Sequence, residues 1–472
     1  MKSKIVRYTA VCLMLLCVPY VKMSLAMSRD NSGSSRMERS LWGEFISEEI
    51  NITLPGQPGI SVMLDHSYGN INVNKGQNDK IVIKGEKRVS SRDSQLAREF
   101  LDAMELQIEE RKGRIIIRTY YPQERLSERI RKKIKNFSIS YTIEIPENTN
   151  LELKNSFGNV DLDNVSGEFS VTNSFGKVTA YDLEGRTELS NKFGSITAER
   201  FTGDTNVSNE HGALTVKQIK GNLVARTSFG SIEVREVEGD AKITNSHGKI
   251  SAEKIGGEAE LETTFGKLSC IDVKGKATLR NRHSGVTVRN VHNDVTVVTS
   301  FGKVEAEKIK GDLSVENQHS SVKVMNIAGE ADVRTTFGRV NIDHVKGNVS
   351  VINQHSSIDV KNILPNSAER ERRVLLKTTF GNIRLEAPES LSAQVKASTS
   401  NGKFSSDFPL MVTLQGTVLS SSSSDQRIAG TVGEGDDIIE LENSHGNIYL
   451  GKSMDDDWEV TVDPIILNLF NE

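Results

Sequence analysis

The sequence predicts an all-β protein whose body is a parallel β-solenoid (β-helix) with coils of about 18 residues, one short unit repeated and stacked. Three observations carry that prediction. A ring side chain returns in one frame at 18-residue intervals, at Phe157, Phe175, Phe193, His211, Phe229, His247, Phe265, His283, Phe301, His319, Phe337 and His355. Apolar residues recur in the same frame with a period-two alternation, which describes short strands with one face inward. A glycine separates the alternations in nearly every copy, while proline is absent from Leu151 to Ile363, where each strand must donate hydrogen bonds to its neighbours. Repetition without insertion is how a stacked solenoid reads in sequence.

The amino end opens on Lys2, Lys4 and Arg7, runs apolar through Val11, Leu13, Met14, Leu15, Leu16 and Val18, and reaches Ser24-Leu25-Ala26. A basic start, a short apolar run and small residues at its exit describe a cleaved secretory signal peptide over residues 1–26. The alternative, a retained anchor, needs roughly 20 apolar residues, more than this run supplies. Cys17 follows Leu16 rather than a small residue, so lipidation is not expected. Residues 27–40 read as a flexible linker, and no integral membrane span is expected once the signal is cleaved.

Loss of the leader moves the net charge from −4 to −8, which argues against nucleic acid as a partner. It also removes Cys12 and Cys17 and leaves Cys270 alone, so no internal disulfide framework is possible. Cys270 occupies a frame position that alanine and valine fill in other coils and reads as an inert core residue.

Residues 41–150 read as an amino-terminal cap that blunts the first coil. Within them Ser67-Tyr68-Gly69-Asn70 looks like one isolated repeat turn, Ser94 to Met104 is helix-like, and Arg114 to Tyr120 and Phe137 to Ile145 alternate as strands. Arg125, Arg129, Arg131, Lys132, Lys133 and Lys135 form a basic run in an otherwise acidic chain. Its plain reading is a solvated face; its functional reading is contact with anionic lipid, lipopolysaccharide or an acidic polymer.

The repeats occupy residues 151–452. Counting from the ring residue, apolar side chains fall at +3, +5, +8 and +14, position +12 is mixed, and glycine stands at +10 in a tight turn. A second turn follows the ring, where Gly158, Gly176, Gly194 and Gly230 stand. Two strands and two turns close a coil, so a single copy of the repeat per turn is the preferred reading. A finer alternation keeps two copies, 36 in all, open. Asparagine stands two residues before each histidine (Asn209, Asn245, Asn281, Asn317 and Asn353), and from Phe229 onward threonine stands two before each phenylalanine (Thr227, Thr263, Thr299, Thr335 and Thr378). A β-propeller would need blades of about 40 residues, and a left-handed triangular helix would place aliphatics at even six-residue steps. Phe380 follows His355 by 25 residues, so one coil carries a charged insertion at 364–373, where Arg370, Arg372 and Arg373 are candidate contact residues. Residues 453–472 read as a tail folded over the last coil.

The histidines His211, His247, His283, His319 and His355 are the one series worth testing for chemistry, because aligned imidazoles can ligate transition metals or titrate. The plain reading is a hydrogen-bonded polar corner, with asparagine satisfying turn amides; no acid or cysteine recurs in step to complete a ligand set. Repeat-bound calcium, a nucleotide loop, a nucleophile elbow and a zinc motif all lack their sequence signatures. No catalytic residue, metal or cofactor is therefore expected. Carbohydrate-active β-helix enzymes place paired acids on irregular coils, whereas acids here are scattered over uniform ones.

Tyr141-Thr142-Ile143-Glu144-Ile145-Pro146, Leu151-Glu152-Leu153, Phe157-Gly158-Asn159-Val160 and Thr378-Thr379-Phe380-Gly381-Asn382-Ile383 resemble the adhesin-like, β-strand-repeat proteins of bacterial envelopes. The resemblance spans about residues 50–452 and supplies no site residues. It implies an exported, non-enzymatic structural or adhesive element in the periplasm or at the outer surface, with an envelope protein or surface polysaccharide as partner. Two alternatives stay open: a carbohydrate-active β-helix enzyme (polysaccharide lyase or hydrolase), and a periplasmic scaffold or sensor partnered with a membrane protein.

Overall fold

The computed structural model describes residues 4–8, 38–40, 43–111, 113–122, 133–364, 371–412 and 425–453. The chain forms two compact units, Met1–Gly212 and Ala213–Glu472. Both are parallel β-solenoids. In the first, Leu151 pairs with Phe169, Phe169 with Thr187, and Val178 with Ile196. In the second, Leu214 pairs with Ile232, Ala259 with Ala277, and Val340 with Ile358. Each partner holds the same frame position in the next copy. One turn is therefore one 18-residue copy, and in the second unit phenylalanine and histidine alternate up one column.

Each coil has two strands, as in Ala259–Thr263 and Leu268–Val273. After Phe265 the inward side chains are Leu268, Cys270, Val273, Ala277, Leu279 and Asn281, all buried. Position +12 is thus a core position. It looks mixed because coils fill it with side chains as different as Thr187, Leu223, Ala241 and Val295.

Inward side chains at both +5 and +8 break strict alternation, so the backbone has to slip by one residue between them. The slip falls at +7, in left-handed conformation: Asp182 (φ 54), Arg200 (φ 61), Glu236 (φ 60), Lys254 (φ 59), Asp272 (φ 58) and Asn290 (φ 55) are examples. That conformation costs a non-glycine residue roughly 1–2 kcal/mol. Its neighbours along the stack help to hold it. Arg200 Nε donates to Asp182 Oδ1 at 2.7 Å, Lys254 Nζ to Glu236 Oε1 at 3.0 Å, and Asn290 Nδ2 to Asp272 Oδ1 at 2.6 Å. The glycine at +10 answers a different need in the second unit, where a Cβ on Gly275 would lie 2.5 Å from the carbonyl oxygen of Gly257.

The ladder of the first unit continues below Leu151. Ser61–Asp65 and Ile71–Lys75 lie parallel to Asn150–Phe157 and Val160–Ser166. On their other side lie Arg114–Tyr120 and Ile134–Ile145, also parallel. A coil early in sequence is therefore held between two later ones. Antiparallel strands then close the end: Glu105–Arg111 on Arg114–Tyr120, Lys80–Ser91 on Ile134–Ile145, and Gly43–Pro55 on Lys80–Ser91. Lys4–Tyr8, inside the segment read as a leader, runs antiparallel to Glu105–Arg111. The helix Ser94–Ala103 starts at Asp93, whose Oδ1 accepts from the Leu96 N–H at 3.1 Å, and buries Ala97, Phe100 and Leu101.

The second unit ends in a similar way. Asp437–His445 pairs with Arg373–Phe380 on one side and with Ala393–Asn401 on the other, and Gln426–Val432 closes the stack antiparallel to Ala393–Asn401. Among the described residues no helix is long and apolar enough to cross a bilayer.

Candidate functional site

The corner that carries the rings is built from its buried residue outward. Two places before each ring from Phe157 onward, asparagine or threonine points inward. Asn281 Nδ2 donates to the carbonyls of Gly266 (2.9 Å) and Ser284 (2.8 Å), and Asn317 Nδ2 to those of Gly302 (3.2 Å) and Ser320 (2.7 Å). Two of the threonines make the same kind of bond, Thr378 Oγ1 to Ser356 O at 3.0 Å and Thr263 Oγ1 to Gly248 O at 3.3 Å, whereas the buried hydroxyls of Thr227, Thr299 and Thr335 have no partner among the described residues. The asparagines thus serve turn carbonyls first. Asn245 and Asn443 also accept from the amides of His247 (3.2 Å) and His445 (3.1 Å), the role expected of them.

With the inward place taken, the ring projects outward. In the first unit Tyr68, Phe157, Phe175, Phe193 and His211 stack with centroids 4.8–5.1 Å apart and planes within 15°. In the second the stack runs from Phe229 through His247, Phe265, His283, Phe301, His319, Phe337, His355 and Phe380 to His445, at 4.7–5.4 Å. The strand spacing sets this distance. The ladder phenylalanines of the second unit are 44–53% exposed. Neighbouring rings cover their faces, so what meets solvent is the ring edge.

Two open depressions lie on outward strand faces of the second unit. One of roughly 430 Å³ is bordered by Val224, Lys242, Glu260, Thr278 and Arg280. Its Glu260 pairs with Lys242 at 2.7 Å and with Arg280 at 3.7 Å. The other, roughly 270 Å³, is bordered by Lys396, Arg427, Glu440 and Glu442.

Residues 272–451 match the Toastrack DUF4097 family. The matched segment holds the second unit's ladder from His283 to His445. No curated protein matches the chain. Among solved structures, a candidate cell adhesion protein from Clostridium sporogenes is similar at 10% identity and a TM-score of 0.15, over 86% of this chain and all of its own. A candidate adhesin from Parabacteroides distasonis is similar at 12% identity and a TM-score of 0.20, over 58% of this chain and 97% of its own. A candidate lipid-binding protein from the same organism has 11% identity and a TM-score of 0.20, over 70% and 97%. Likeness at that level carries no argument about function, which has to rest on the geometry of the chain itself.

Of the basic residues singled out by sequence, Lys133, Lys135, Arg372 and Arg373 are described. Arg125, Arg129, Arg131, Lys132 and Arg370 lie outside the described residues. Lys133 Nζ donates to Asp93 Oδ2 at 3.4 Å, and Lys135 is exposed. Arg373 is exposed and pairs with Glu371 at 3.2 Å. Arg372 departs from the expectation of a contact residue. It is buried, with Nη2 2.5 Å from Asp437 Oδ2 and Nη1 donating to the carbonyl of Leu364. A long basic side chain next to charged neighbours reads as solvated, but this one ties the inserted loop to the last coil in sequence.

The histidines His211, His247, His283, His319 and His355 all stand exposed in the ladder. Each is held by its ring neighbours, and no group of three or more His, Cys, Asp or Glu side chains able to hold a metal occurs among the described residues. Cys270 is fully buried, and burial pushes its thiol up to about 12.

Sequence reasoning passed over His66. It is buried at the lower end of the first unit, its Nδ1 2.9 Å from Thr119 Oγ1 and its ring 5.1 Å from that of Tyr141. Burial lowers its pKa to about 4. The isolated turn at Ser67-Tyr68-Gly69-Asn70 was the available signal, because it implied a coil there with an interior to fill.

Proposed function

We propose that the chain is an exported, non-enzymatic β-solenoid serving as a structural or adhesive element of the cell envelope. The exposed ring ladder carries this reading. A single exposed phenylalanine needs no explanation, but an apolar side chain kept outward at one corner of coil after coil forms a contact line. Stacked coils offer extended surfaces more readily than pockets, and carboxylates such as Asp182, Glu236 and Glu260 are engaged with basic groups one coil away. Fractionation of the native organism with cross-linking tests the proposal. Recovery with envelope material, cross-linked to an envelope protein or polysaccharide, is expected. Recovery in the cytosol overturns the placement, and turnover of any member of a polysaccharide panel overturns the non-enzymatic role.

A further inference from the structure

We infer that the ring corner of the second unit is a docking ridge for the surface of an anionic phospholipid bilayer, an inference that rests on the envelope role above. Charge is the first observation. In the ten coils from Phe229 to His445, the four corner positions from the residue before the ring to the second after it contain no aspartate or glutamate. They do contain Lys249, Lys267, Arg282, Lys303 and Arg339, all exposed. Lys303 pairs with Glu305 at 2.6 Å. Among the described residues no carboxylate lies within ion-pair distance of the other four. Elsewhere on the same coils acids and bases are interleaved and paired, as in Lys254 with Glu236 and Arg289 with Glu307. The exclusion of acids belongs to this corner.

The second observation is apolar. Phe229, Phe265, Phe301, Phe337 and Phe380 bring their edges to solvent along this corner, and Val298 is exposed three residues before Phe301. Because ring faces are taken by neighbours, stacking on a sugar or a nucleobase is not available. A soluble polyanion would be attracted by the lysines but would gain nothing from the phenylalanines. A bilayer interface rewards both: ring edges enter the boundary between headgroups and chains, and basic side chains meet anionic headgroups. The constant register keeps both sets on one line, so several coils can touch one surface together.

Co-sedimentation of the full chain with vesicles tests this. Binding is expected to phosphatidylglycerol–phosphatidylcholine vesicles, to weaken with salt, and to be slight with phosphatidylcholine alone. Each of Lys249→Gln, Lys267→Gln and Arg339→Gln should lower partitioning by about fivefold. The triple variant Phe265→Ser, Phe301→Ser, Phe337→Ser should also weaken binding although its charges are intact, with circular dichroism confirming that the coils persist. Lys242→Gln, on a neighbouring outward face, should leave binding unchanged. Absence of binding to anionic vesicles overturns the inference. So does binding that ignores the serine variant and is matched by soluble alginate, which would mark a polyanion site. Failure of vesicle binding in a protein that still fractionates with the envelope removes only the ridge, whereas recovery in the cytosol removes the role on which it rests.

Discussion

Acidification should loosen the lower end of the first unit through His66. The buried imidazole has a pKa of about 4, against about 6.5 for an exposed histidine. Its folded-state value is depressed, so the unfolded chain takes up the proton first and stability rises with pH across this window. The contribution is complete above pH 6.5 and is lost progressively as pH falls toward 4. At pH 5 the loss is about 2 kcal/mol, and over the whole window about 3 kcal/mol, at 1.36 kcal/mol per pH unit. Amide hydrogen exchange over Ser61–Asp65 and Arg114–Tyr120, corrected for intrinsic rates at pH 7.5 and 5, reads that loss where His66 acts. Comparison with His66→Gln, which cannot protonate, cancels the other titrating groups. The wild type should lose more protection than the variant by that same pH 5 amount; an equal loss in both would refute the assignment.

Three further outcomes follow from the second unit. Arg372→Ala leaves Asp437 buried without its guanidinium partner and should cost about 3–5 kcal/mol in urea unfolding, whereas Arg373→Ala should stay within about 0.5 kcal/mol of wild type. Gly302→Ala would set a Cβ 1.7 Å from the carbonyl oxygen of Ser284, and the forced shift should cost roughly 1–3 kcal/mol or more, seen as a lowered melting temperature. Asn317→Ala removes the donor to the Gly302 and Ser320 carbonyls and should cost about 1–3 kcal/mol in the same measurement; Asn317→Thr should recover part of it, since Thr263 and Thr378 bond a turn carbonyl from the same place in their coils.

The coil length was readable because every copy keeps one frame, and the strands because +3 and +5 alternate plainly. The left-handed residue at +7 escaped notice because its identity is free: Asp182, Arg200, Lys254 and Asn290 share a backbone angle and little side-chain chemistry. What betrays it is parity, since inward residues at +5 and +8 cannot lie on one unbroken strand. Parity also bears on which way the rings face. Extending the alternation through Leu279 and Asn281 would turn His283 inward, but the strand Ala277–Asn281 ends at the asparagine, and the corner sends the next ring out. Arg372 was misread for another reason: its partner Asp437 lies 65 residues away, beyond the reach of any local pattern.

The order of coils at the ends of the two units has a mechanical consequence. A simple solenoid pulled at its terminus can shed one coil after another, each exposing only the next. Here the coil that contains Asp437–His445 follows both of its neighbours in sequence but lies between them, with Arg373–Phe380 on one side and Ala393–Asn401 on the other. In the first unit, Ser61–Asp65 is likewise held between strands that follow it in the chain. Force drawn on Asp437–His445 must break two ladders at once instead of one, as must force on Ser61–Asp65, so these strands resist peeling in a way that a strand at the edge of a stack does not.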